Sequence, residues 1–168
     1  MAKASPSSVF ARARPKRTPC VGICSTTYGD LVCRGCKRFA HEIVQWNSYD
    51  ELQQEQIWRR LQEIRDASVL HHLRIQNREE FDACAANFEL SEALSEGELR
   101  YEALRHLVVK GLGLIGSGLV SFELIPDDTP QDILPALDSE ALTVMRALDA
   151  EIYRRSIAYY ERCFRVPV

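Results

Sequence analysis

The stretch PCVGICSTTYGDLVCRGC, residues 19–36, decides how the N-terminal part of this chain folds. It holds four of the six cysteines in the chain, spaced Cys-x3-Cys-x8-Cys-x2-Cys, so each close pair can present two sulfur atoms to one ion. So short a segment buries too little apolar surface to order itself, whereas metal binding contributes about 10–16 kcal/mol in comparable peptides. We therefore predict a metal centre whose ligands are Cys20, Cys24, Cys33 and Cys36.

This cysteine pattern suits two kinds of metal centre. Zn²⁺ takes tetrahedral thiolates in closed structural sites, and iron takes them in rubredoxin-like or Fe–S cluster sites. Two close pairs are common around zinc, whereas cluster motifs often use three close cysteines and a distant fourth. The spacing does not decide between Zn²⁺ and an Fe–S cluster, so both stay open.

A specific pattern of residues surrounds these cysteines between Thr18 and Leu61. Its members are Pro19, Cys20, Cys24, the turn Cys33-Arg34-Gly35-Cys36, Arg38, Glu42, Ile43, Trp46, Trp58 and Leu61. The pattern resembles the YdhL-like bacterial proteins, a family of unknown function described as predicted Fe–S proteins. The resemblance implies a metal or cluster site at the four cysteines and a bacterial cytoplasmic setting. It covers about a quarter of the chain.

Apolar spacing predicts a helical hairpin directly after the cysteines. A period of three to four residues predicts a helix over residues 36–47. Ser48 and Glu51 have the spacing of a capping box, which predicts a second helix from residue 48 to at least Ile64. Whether this helix continues to Leu73 stays open. Trp46 and Trp58, one in each helix, are expected to cover the metal site.

The remainder of the chain predicts more helices and little strand. We expect a mainly α fold: a four-cysteine metal knuckle on a helical hairpin, then a helical C-terminal part with at most one or two short strands. The expected organisation is a disordered basic arm over 1–18, the knuckle and hairpin over 19–65, and a helical region over 66–168. The later predicted elements are helices beginning at Asn77 and Ser95, a glycine-rich turn over 111–118, a short strand within 119–125, a loop over 127–135 and a helix over 139–164.

Charge is distributed unevenly along the chain. Residues 1–40 carry a net charge of +7, which leaves −10 for residues 41–168. A basic arm suits nucleic acid, an acidic protein partner or the acidic remainder of the chain, and it can also simply stay solvated. The residues predicted to contact a partner are Arg12, Arg14, Lys16, Arg17, Arg34, Lys37 and Arg38.

Several classes of protein receive no support from the sequence. No run of 18 apolar residues is present, so a membrane span is not expected. The first nineteen residues lack the hydrophobic core of a secretory signal, and a reducing cytoplasm is therefore the expected compartment. There, clustered cysteines indicate metal or redox chemistry and not disulfides.

The remaining candidate residues predict no catalytic site. Cys84 and Cys163 lie on apolar helical faces and are expected to be small core residues, and His41 is expected to be exposed. No Ser-His-Asp or Cys-His pattern is present, so nothing indicates an enzyme. We expect a non-catalytic adaptor or regulatory protein, stapled by zinc or an Fe–S cluster, with a basic surface for nucleic acid or an acidic protein. The alternative is an Fe–S protein that carries an electron or senses iron or oxygen.

Overall fold

The computed structural model describes residues 18–122 and 139–164. The predicted arm before Thr18 and the predicted loop over 127–135 lie outside these ranges. The described part is mainly helical, as predicted, and contains two short antiparallel strands. Its elements are α1 (Ala40–Val44), α2 (Glu51–His72), β1 (Leu73–Ile75), α3 (Arg78–Asn87), α4 (Glu96–Val109), β2 (Leu119–Ser121) and α5 (Glu140–Phe164).

Helix α1 begins later and ends earlier than the sequence predicted. The residues before it form a tight turn in which Lys37 has a φ of 60°, a left-handed conformation that no helix start can contain. A bridge between Val32 and Phe39 closes this turn, and the Phe39 N–H donates to Glu42 Oε2 at 2.9 Å. The predicted start at Cys36 is therefore wrong, because the chain turns back on itself there.

Helix α2 also begins away from its predicted position. Its N-cap is Asp50, whose carboxylate accepts from the Gln53 N–H at 2.8 Å while the Gln53 side chain accepts from the Asp50 N–H at 3.0 Å. Ser48, the predicted cap, lies in a short 3-10 turn over Trp46–Ser48. The helix then runs without interruption to His72, which answers the open question about its length.

The later helices begin where their capping residues predicted. Asn77 Oδ1 accepts from two backbone N–H groups at the start of α3. Ser95 and Glu98 form the predicted reciprocal capping box at the start of α4, with distances of 3.2 and 3.0 Å. In these two cases the signal is local, so tertiary context does not override it. The last predicted helix, which rested on apolar spacing, is α5.

The core lies where α2, α3, α4 and α5 pack together with the small sheet. Strand β1 follows α2 directly and pairs antiparallel with β2, with Leu73 opposite Ser121. A Cβ on Gly118, at the end of the glycine-rich turn, would lie 2.3 Å from the Asn77 carbonyl oxygen, so only glycine fits this contact. The buried core residues are Val69, Leu73, Phe81, Phe88, Ala103, Leu104, Leu107, Leu114, Leu119, Ala141, Val144, Leu148 and Ile152.

A membrane-spanning helix needs about 20 consecutive, mainly apolar residues. Within residues 18–122 and 139–164, none combines sufficient length with sufficient apolar character to cross a bilayer.

Candidate metal centre

The second cysteine pair forms a compact turn around the Cys33 sulfur. Cys33 is fully buried, and its backbone N–H donates to the Arg38 carbonyl oxygen across the turn at 2.9 Å. Burial by itself raises the pKa of the Cys33 thiol. Hydrogen bonds from the backbone N–H groups of Cys36, Ser25 and Gly35 outweigh that effect and lower the pKa to about 7. The protein backbone therefore favours a thiolate at this position.

The sulfur of Cys36 lies next to that of Cys33. The two side chains are close enough to influence each other's pKa, and the Arg38 Nε–H donates to Cys36 Sγ at 3.4 Å. Burial raises the pKa of the Cys36 thiol above its ordinary value, and the hydrogen bond and charge of Arg38 offset only part of this increase. The structure thus brings two of the four predicted ligands together.

The first cysteine pair lies on a segment that packs against this turn. A Cβ on Gly35 would lie 2.7 Å from Val21 Cγ2 and 2.8 Å from the Ile23 carbonyl oxygen, so the two segments touch here. Cys20 is exposed, and its sulfur accepts from the Gly22 N–H at 3.4 Å. The sulfur of Cys24, the other member of this pair, lies 3.0 Å from the Thr26 hydroxyl oxygen.

The four cysteines are neighbours along the chain but are not gathered into one ligand sphere. Across the described ranges 18–122 and 139–164, no three His, Cys, Asp or Glu side chains form a group that could hold a metal ion. The chemistry of the donor set and the backbone donors around Cys33 fit a thiolate centre. Cys20 and Cys24 would have to approach the other pair to complete it. The predicted ligand set therefore stays a prediction.

Buried Lys37 ties the cysteine turn to the last helix. Its ammonium donates to the carbonyl oxygens of Arg34, at 2.6 Å, and Gly35, at 3.1 Å. It also forms an ion pair with Asp149 on α5. One side chain thus fixes two carbonyl groups of the turn and links them to a helix 112 residues away in sequence.

A second buried ion pair ties α1 to α2. The Glu42 carboxylate receives two hydrogen bonds from the Arg60 guanidinium, at 2.7 and 2.8 Å, and both side chains are nearly buried. The guanidinium carbon lies 3.7 Å from the centre of the Phe39 ring, which packs edge-on against Tyr160 of α5. The cysteine turn, α1, α2 and α5 are therefore joined by one polar and aromatic contact region.

The cations predicted to contact a partner occupy different environments. Lys37 and Arg38 are only 7% and 3% exposed and have internal partners, so an external partner cannot reach them in this arrangement. The Arg34 side chain is 70% exposed and pairs with Asp30 at 3.0 Å. The remaining four, at positions 12, 14, 16 and 17, lie outside the described residues.

Other singled-out residues gave mixed outcomes. Cys84 packs against the core as predicted, but Cys163 is exposed, as are the other residues of the last turn of α5. His41 is exposed, as predicted. Trp46 approaches the cysteines through Arg38, whose guanidinium lies 4.8 Å from the centre of its ring.

Comparison with known protein families gives a match over the cysteine-containing part of the chain. A family model described as "Protein of unknown function (DUF1289)" matches residues 18–65. The match spans the four clustered cysteines, α1 and the first part of α2. It shows that this region resembles a cysteine-rich family of unknown function, which is the coarser part of the resemblance drawn from the sequence. No curated protein and no solved structure gives a significant match.

Proposed function

We propose that this protein is a non-catalytic, metal-binding adaptor or regulatory protein. Cys20, Cys24, Cys33 and Cys36 would hold the metal, which orders residues 19–36, the knuckle, on the helical body. The observation that carries this proposal is the Cys33–Cys36 turn, which buries Cys33 completely and places the Arg38 Nε–H 3.4 Å from Cys36 Sγ. A cationic donor beside a sulfur atom favours the deprotonated thiol, which is the form that binds metal.

Metal binding has to draw the first cysteine pair toward the second. The contact between Gly35 and the Val21–Ile23 segment supports this step, because it already holds the connecting backbone against the turn. Within the described part of the chain, Cys20 is exposed and its hydrogen bonds go to Thr18 and Gly22, so its rearrangement would leave the helical core undisturbed. The fixed second pair would then act as the template on which the first pair closes.

The way in which the knuckle is attached to helices α2 and α5 is compatible with an adaptor. Lys37, Glu42 and Arg60 fix the turn and α1 to α2 and α5 through buried ion pairs. A knuckle held in this way presents its outer loops at a defined orientation. Val21, Ile23 and Tyr28 on those loops are 63%, 76% and 91% exposed. Exposed large apolar side chains beside a positively charged segment are typical of surfaces that bind a partner.

The metal and its role are tested by one preparation. We would purify the full chain anaerobically and measure zinc, iron and acid-labile sulfide per chain. Zinc without sulfide supports the structural metal site of the proposed adaptor. Iron with sulfide and visible absorption supports instead the alternative, an Fe–S protein that transfers an electron or senses iron or oxygen. Absence of any bound metal, also after reconstitution under reducing conditions, would refute both.

The partner is tested separately. Of the seven cations predicted to contact a partner, Lys37 and Arg38 are buried. Binding should therefore depend on the remaining five, which are Arg34 and the arm residues Arg12, Arg14, Lys16 and Arg17. We would titrate labelled RNA, labelled DNA and an acidic peptide with the full chain and with a version that lacks residues 1–17, at two salt concentrations. Salt-sensitive binding that the truncation removes supports an electrostatic partner surface. Equal binding by the full chain and the truncated protein would contradict an electrostatic partner surface.

A further inference from the structure

We propose that Arg38 is a positioning residue of the metal centre, which holds the Cys36 sulfur and balances the negative charge of the metal–thiolate group from inside the protein. This inference rests on the proposed metal site and adds to it a function for one residue outside the ligand set.

The environment of Arg38 is unusual for a buried cation. The side chain is 3% exposed, its Nε–H donates to Cys36 Sγ at 3.4 Å, and its guanidinium lies against Trp46. Among the residues that the structure describes, no carboxylate forms an ion pair with it. Two other cations near the knuckle, the buried Lys37 and the nearly buried Arg60, each have a carboxylate partner.

A buried charge without a counter-charge is costly. Removing a cation from water is strongly unfavourable unless an anion or several hydrogen bonds replace the solvent. The group that Arg38 contacts is the sulfur of a proposed metal ligand, and a cysteine binds metal as a thiolate. Four thiolates around a divalent ion carry a net charge of about −2, which would supply the missing partner. The placement of Arg38 therefore follows directly from a negatively charged centre at Cys36.

The geometry calls for a guanidinium and not for any cation. Arg38 donates to a sulfur through its Nε–H while its guanidinium carbon lies 4.8 Å from the centre of the Trp46 ring. A lysine ammonium is a compact point charge and cannot form both contacts at once. Arg38 thereby fixes the direction of the Cys36 side chain, as outer-shell partners commonly do for metal ligands.

Arg34 provides a matched control. It carries the same charge, follows Cys33 directly and lies two residues before Cys36. Its side chain is 70% exposed, and its hydrogen bond goes to Asp30. Arg34→Gln and Arg38→Gln therefore remove the same charge from the same turn. They differ in burial and in contact with sulfur.

The test is a Co²⁺ titration of the reduced full chain against a competing chelator, followed by sulfur-to-cobalt charge-transfer absorption. We expect Arg38→Gln to weaken Co²⁺ binding by roughly 10- to 100-fold, as loss of an outer-shell partner generally does. Arg34→Gln should weaken it by less than about threefold, as expected for an exposed charge. Arg38→Lys should fall between Arg38→Gln and the wild type. Far-UV circular dichroism of each metal-free protein confirms that its helices are intact.

The outcomes separate this inference from the metal site itself. Equal Co²⁺ affinity of Arg38→Gln and the wild type, or equal losses in Arg38→Gln and Arg34→Gln, would overturn the role of Arg38 and leave the metal site standing. Wild-type protein that takes up no Co²⁺ refutes the site and this role together. If Arg38→Gln does not fold, Arg38→Lys decides alone, and wild-type affinity in that variant overturns the proposal.

Discussion

The buried ion pair between Glu42 and Arg60 should contribute strongly to the stability of the folded chain. Glu42→Gln keeps the shape of the side chain but removes its charge, which leaves the Arg60 cation buried against Phe39. The Glu42 carboxylate also accepts the Phe39 N–H at 2.9 Å, and an amide cannot accept all three hydrogen bonds. Removing one partner of a buried pair costs about 3–5 kcal/mol, so we expect a loss near the lower limit, about 3 kcal/mol.

The assay is urea unfolding followed by far-UV circular dichroism, with Asp82→Asn as the control. Asp82 pairs with Arg78 at 2.9 Å on the surface, where both side chains are more than half exposed. Loss of that pair should cost less than about 0.5 kcal/mol. The double variant Glu42→Gln/Arg60→Gln should lose at least about 1 kcal/mol less than the sum of its single variants. A loss in Glu42→Gln no larger than that in Asp82→Asn would refute the structural role assigned to this pair.

Three further predictions concern the turn, the knuckle and one carboxylate. Gly118→Ala should lower the free energy of unfolding by about 1–3 kcal/mol, because the new Cβ would clash with the backbone at the start of α3. Gly116→Ala is the control: its φ is also positive, but no atom lies within 4 Å of the new Cβ, so the loss should be smaller. Equal losses in the two variants would contradict the close contact at Gly118. A chelator should make residues 19–36 sensitive to protease while α5 stays protected, and unchanged protection of the knuckle would contradict the metal staple. Partial burial raises the pKa of Glu151, but the Arg155 hydrogen bond and nearby cations hold it below 4.5 overall. Its contribution to stability is therefore present above pH 4.5 and lost as the pH falls through the folded-state pKa, so acid should destabilise the wild type more steeply than Glu151→Gln; parallel curves in acid unfolding would contradict this.

The sequence predicted those helix starts whose signals are local. Asn77 and Ser95 cap their helices by side-chain bonds to backbone groups two or three residues away. The start of α1 was not predictable in this way, because Lys37 in the turn before it has a left-handed conformation and its side chain pairs with distant Asp149. Strand β1 was missed for a related reason. It follows α2 without a break, and only its pairing with β2 marks it as a strand.

The four-cysteine ligand set remains a prediction from sequence spacing, and the family match covers the same residues. The burial of the neighbouring cations was not predictable from the sequence. The sequence placed Lys37 and Arg38 with the surface charges, because a buried cation and a solvated one look alike in a basic segment. Their burial depends on Asp149 and Trp46, which a single sequence does not connect to them. The fixed second pair and the looser first pair likewise follow from packing at Gly35.

The central claim is that the four clustered cysteines form one metal centre. The most direct test is the metal content per chain of proteins purified anaerobically and in parallel. The variants to compare with the wild type are Cys20→Ser/Cys24→Ser, Cys33→Ser/Cys36→Ser and Cys84→Ser/Cys163→Ser. We predict that each of the first two loses the metal and that the third retains the wild-type amount, because Cys84 lies against the core and Cys163 is exposed on α5. Full metal retention in Cys33→Ser/Cys36→Ser would contradict the claim.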